Sequence, residues 1–152
     1  MVLKEVVMRK YIIGGISGLI VIIIAVIALK SEILSGVPDA INSISSNGDL
    51  HLCVLANERN IENKEALAVE IVNMCRNNEF HTIKFSYDIE YPTSLSISVY
   101  ETRKAFEKSE EAFHIDFDTE DYLQCYNIVE NPEQYELYLD GKIINYNTDN
   151  FK

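Results

Sequence analysis

The longest apolar run in the chain, "YIIGGISGLIVIIIAVIAL" at residues 11–29, contains no charged residue. At about 1.5 Å per residue, a helix of that length spans about 28 Å, close to the hydrocarbon thickness of a bilayer. Backbone amides in lipid have no water to bond, so a lone segment there is expected to be an α-helix. The run exceeds the apolar block of a signal peptide and meets Lys30 with no polar stretch before it, which predicts a retained anchor. Val26-Ile27-Ala28 supports the opposite reading, because its small residues resemble the spacing that a signal peptidase accepts. Lys4, Arg9 and Lys10 precede the run, whereas Lys30 is soon followed by Glu32 and Asp39. The positive-inside rule then predicts a cytoplasmic stub at 1–10, a transmembrane helix at 11–29 and an extracytoplasmic remainder, a single-pass protein of the cell membrane. Gly14 and Gly18 lie four residues apart one turn inside the span, a pattern that lets a second helix approach and pair as a homodimer. The same spacing also arises by chance, since glycine is common in membrane helices.

Beyond the span the periodicity shortens. In the connector, residues 30–48, Val37, Ile41 and Ile44 fall at i, i+4 and i+7. With Pro38 at a first-turn position and Asn47-Gly48 as a stop, this predicts a short amphipathic juxtamembrane helix. "LHLCVLA", residues 50–56, reads as a buried strand, and Leu67, Ala68, Ile71, Val72 and Cys75 form one stripe of a main helix. That helix is expected to start at an Asn60 or Asn63 cap and to end near Asn77-Asn78. "TIKFSYDIEY" (82–91), the run holding Leu95, Ile97 and Val99, and "FHIDFD" (113–118) each alternate apolar with polar and predict strands with one wet face. "ETRKAFEKSEEA" is a charged connection with a helical turn around Phe106, and Asp140-Gly141 predicts a tight hairpin. The expected fold is α+β: one N-terminal transmembrane helix followed by a small domain, residues 49–147, with one main helix packed on a mostly antiparallel sheet. Residues 148–152 read as a frayed end.

Composition changes this picture in one direction. The 152 residues carry a formal net charge of −11, and three of the 13 basic residues precede the span, so the outer domain is more acidic than the whole. Such a surface repels nucleic acid and anionic headgroups. A solvated face is one reading of the acids; a docking face for a basic partner is the other. Cys53, Cys75 and Cys125 are too few for a disulfide framework and are not spaced as a zinc or redox pair. If Cys53 faces the main helix, a Cys53–Cys75 bridge would close a loop of about 20 residues and add about 3 kcal/mol.

Candidate chemistry is sparse. His114, Asp116 and Asp118 share a face of one strand, and with Glu120 and Asp121 they make an acidic cluster that offers a cation oxygen and nitrogen ligands. As a calcium loop from Asp116 it departs where the loop needs glycine (Asp121) and a bidentate glutamate (Asn127), so a solvated strand face is the competing reading. His51 and Cys53 also share a face, either as a small buried thiol beside a histidine or as the start of a soft-metal or nucleophile site. Ser96 and Ser98 fit a wet sheet face. No phosphate loop, nucleophile elbow or zinc-protease helix is present, and no cofactor is expected. These residues point to a non-enzymatic protein-interaction module of the cell envelope that binds a protein partner, with cation or ligand sensing through His114 to Asp121 as the alternative.

Overall fold

The computed structural model describes residues 35–121 and 126–146. The expected anchor at 11–29, its Gly14 and Gly18 face, Cys125 and the frayed end lie outside the described residues. Among those described, no helix is long and apolar enough to cross a membrane.

Two strands, β1 (Asp39–Ser46) and β2 (Asp49–Leu55), form the first hairpin. Helix α1 (Lys64–Asn77) then leads to β3 (Ser94–Tyr100), and a single turn, α2 (Arg103–Glu107), to β4 (Phe113–Asp118). A 3-10 turn at Pro132–Gln134 precedes the closing hairpin of β5 (Glu136–Leu139) and β6 (Lys142–Ile144). The strands form one sheet in chain order, antiparallel throughout except that β2 and β3 are parallel. A parallel pair needs a crossover, and α1 with the segment after it supplies one.

Helix α1 begins after Asn63, the second of the two expected caps. The Asn63 side chain accepts from the Ala66 amide, and Asn78 closes the helix in the left-handed conformation at φ 56°. Its stripe of Leu67, Ala68, Ile71, Val72 and Cys75 is buried against Leu52, Val54, Ile97, Ile115, Phe117 and Leu137. Every second residue of β2, β3 and β4 therefore points at the helix, and the residues between them point away.

Two expectations are corrected. Residues 39–46 are not an amphipathic helix but the edge strand β1, so the sheet begins before the expected boundary at residue 49. Asn47 and Gly48, expected as a helix stop, both have positive φ and turn β1 into β2. Glycine is required at 48: φ is +87°, and a Cβ there would lie 2.5 Å from the Thr93 hydroxyl. Residues 82–91 do not form a strand but the return of the crossover. Phe85 exchanges backbone bonds with the Asn78 side chain, not with a neighbouring strand.

Asp39 fixes the start of that return. Its carboxylate accepts the amides of His81 (2.8 Å) and Thr82 (3.0 Å) and the Thr82 hydroxyl. Partial burial pushes its pKa up, but the bonds from Thr82 and His81 outweigh this and hold it below the usual value. Because the folded pKa is depressed, the stabilisation is present above the unfolded carboxylate range and is lost as pH falls through the folded value. Asp39→Ala is expected to flatten the acid limb of a stability-versus-pH curve below about pH 4 and to destabilise the protein at neutral pH. An unchanged acid limb would show that the carboxylate carries no folding linkage.

Candidate functional site

Among the described residues, the side of the sheet away from α1 carries only the single turn α2 at its margin, where Phe106 meets Tyr100 edge-on at 5.2 Å between ring centroids. Its side chains fall into rows fixed by register. One row runs Ile44, His51, Ser96, Asp116, Tyr138, Ile143 across all the strands, and the next runs Asn42, Cys53, Ser98, His114. Asp49 with Ser94, and Asp118 with Glu136, extend the face toward one end. Ile44 and Ile143, at opposite edges, are 62% and 64% exposed. The only Lys or Arg in a described strand is Lys142, which pairs with Leu139 on the α1 side of the sheet. Carboxylates on this face therefore have histidines for neighbours and no permanent cation from any described strand. A cavity of about 790 Å³ lies at the acidic end, lined by Asp49, His51, Glu90, Tyr91, Ser94 and Asp118 among others.

His114 is the most connected residue of the face. Its Nδ1 lies 3.0 Å from Glu111 Oε1, and its Nε2 lies 3.2 Å from Asp116 Oδ1 and 3.1 Å from Ser96 Oγ. Serine, imidazole and carboxylate in this order resemble a nucleophile, base and orienting group. Two features oppose that chemistry. Asp116 competes with the Ser96 hydroxyl for Nε2, and the backbone amides of the inner strands β3 and β4 are committed to the ladder, leaving no pair of free donors for an oxyanion. These hydrogen bonds fix the orientation of the ring. Glu111 was not singled out from sequence because it precedes β4; its position three residues before His114 was the available signal.

The expected cation ligands are brought together only in part. His114 and Asp116 touch, but residues four apart on one strand are separated by about 13 Å, far beyond the span of ligands around one ion. Asp118 accepts from the Thr119 amide. Among the described residues, no group of three or more His, Cys, Asp or Glu side chains could hold a metal ion.

The disulfide expectation is also corrected. Cys53 points to the open face between inward-facing Leu52 and Val54, while Cys75, on α1, is fully buried against the other face, so the sheet lies between them and both thiols are free. His51 and Cys53 do share the open face. Partial burial, and after it the negative charge of Glu111, push the Cys53 thiol up, which disfavours the thiolate a nucleophile needs.

In comparisons with protein families, curated proteins and solved structures, nothing matches the chain.

Proposed function

We propose that this is a single-pass membrane protein whose acidic extracytoplasmic domain is a non-enzymatic interaction module, binding a basic protein partner on the open face of its sheet. The apolar run at 11–29 and the basic residues before it support the anchor and its orientation. The observation that carries the docking role is the one-sided sheet, whose uncovered face holds Asp49, Asp116, Asp118 and Glu136 and no Lys or Arg from the described strands. Opposite charge on the partner would steer encounter and set which partner is accepted.

Crosslinking in intact cells producing the full chain, with a reporter at the C-terminus, tests both parts. The reporter is expected outside the cytoplasm, and the captured protein is expected to carry a basic surface. The triple variant Asp49→Asn, Asp116→Asn, Asp118→Asn keeps acceptor oxygens for Ser94, His114 and Thr119 while removing charge. It is expected to weaken capture about tenfold, as is raised salt. Capture of no protein, or equal capture by the variant, would reject the docking role; a cytoplasmic reporter would reject the orientation.

A further inference from the structure

The geometry points to a strand-addition site on β1: its outer edge takes an extended segment of a basic partner protein, whose alternate apolar side chains enter the groove between β1 and residues 84–92. This rests on the reading of the domain as a protein-interaction module and names the form its ligand takes.

The first observation is the edge itself. Among the described residues, strand β1 has β2 on one side and no strand on the other. Its hairpin closes through a two-residue turn, with Ser46 opposite Asp49, then Ser45 opposite Leu50, Ile44 opposite His51 and Ser43 opposite Leu52. In such a hairpin the pair flanking the turn exchanges both hydrogen bonds, and bonded pairs then alternate along the ladder. Ile44 therefore bonds to β2, whereas Ser43 and Ser45 turn their N–H and C=O groups outward. Two donor–acceptor pairs about 7 Å apart are what an incoming strand matches. Edge strands are ordinarily defended by lysine, proline, an inward charge or a bulge; Ser43 to Ser46 contains none of these, since the register shift of β1 lies between Ala40 and Asn42.

The second observation is independent of the first. After its anchorage to Asp39, the crossover return runs beside β1 as far as Gly48, where Thr93 donates its amide to the Gly48 carbonyl (2.8 Å). Between them lies a cavity of about 310 Å³, lined by Ser43, Ser45, Leu50, Phe85, Tyr87 and Ile89, with Lys84 and Glu90 also on its wall. Ser43 and Ser45 are small, and they face the same side as the inward Leu52 and Leu50, which leaves the space open at the edge. Ile89 beside it is 82% exposed.

The two features share one register. A partner residue bonded to Ser43 or Ser45 sends its side chain to the groove side, and the residue between them falls beside Ile44 on the open face. The groove thus selects apolar residues at i and i+2. Charge separates the two candidate strands: a second copy would bring a like-charged domain of an acidic chain against this one, whereas a basic segment is attracted.

The test uses the full chain in detergent micelles and a labelled peptide Lys-Thr-Val-Thr-Val-Thr-Lys, with a control of the same composition whose two valines are adjacent. Binding of the alternating peptide over the control is expected. Ser45→Pro removes one outward donor without taking a bond from β2, and Ser43→Phe fills the groove while keeping the backbone; each is expected to weaken binding about tenfold, with an unchanged far-ultraviolet spectrum. No difference between the peptides, or full binding by both variants, overturns the proposal. Binding lost only in the acidic-face triple variant would also overturn it while leaving the docking face standing. Self-association abolished by Ser45→Pro would make the occupant a second copy and overturn the assignment to a partner.

Discussion

Replacing Phe117 by alanine is expected to destabilise the protein by about 3–5 kcal/mol, a large share of the 5–15 kcal/mol that holds a typical domain together. Phe117 has no exposed surface and sits in β4 between Leu95 and Leu137 on the neighbouring strands. Its ring stacks on Tyr135 at 5.0 Å between centroids and meets Tyr146 edge-on at 4.9 Å. Truncation therefore leaves a cavity bounded by two rings that cannot collapse without moving the closing hairpin. Denaturant titration of the full chain should show the midpoint fall with an unchanged slope, and Phe117→Leu should recover much of the loss. A shift below about 1 kcal/mol for alanine would mean that this cavity refills and that the aromatic cluster is not a stability centre.

Arg76→Ala is expected to cost about 2–3 kcal/mol, and Arg76→Lys to recover little of it. The guanidinium reaches from the last turn of α1, donating from Nε to the Ile128 carbonyl at 2.7 Å and from Nη1 to the Tyr146 hydroxyl at 2.7 Å. Tyr146 in turn donates to Asn73 Oδ1 at 2.8 Å, so helix, loop and the end of the sheet meet at one fork. A lysine ammonium sits at a single point and cannot serve both acceptors from that stem. Burial pushes the Tyr146 phenol up and the Arg76 charge pulls against it, so removing Arg76 should raise that pKa further. Faster hydrogen exchange confined to residues 126–131 and β6 is the expected signature. Equal stability of the lysine variant and the native chain would show that charge alone, not the fork, makes the link.

Much of the core was readable from local pattern. The alternation in "SLSISVY" and "FHIDFD" survives because β3 and β4 lie inside the sheet, with one face under α1 and one open. The helix stop at Asn77-Asn78 and the Asp140-Gly141 turn are decided by neighbours within a few residues and match the local pattern, while the structure chooses Asn63 over Asn60 as the cap. Residues 39–46 suggest the wrong period because Val37, Ile41 and Ile44 suit a helix as well as a strand, and Asn-Gly serves as a helix stop or a hairpin turn. What decides between them is β2, whose free edge offers a ladder to the segment that precedes it. Residues 82–91 fail in the opposite way. Their side chains alternate as expected only from Ile83 to Tyr87, Ile89 being 82% exposed, and Asn78 and Asp39 take up backbone groups that a strand would have given to a neighbour.

The candidate site was legible as a list of residues and not as a place. Sequence alone determined that Ser96 with Ser98 and His114 with Asp116 share wet faces of their strands, and that His51 and Cys53 share one face of theirs, because the side-chain period of a strand is fixed at two. It also determined the acidic balance and the apolar run at 11–29, which are sums over residues and need no fold. Only the tertiary structure decided that these strands join one uncovered face, that Glu111 reaches His114 across a bend, and that a sheet separates Cys53 from Cys75. It alone placed β1 at an edge beside a groove. Strand order and the side of the sheet that a helix covers depend on contacts between residues far apart in the chain, and local periodicity carries no record of them.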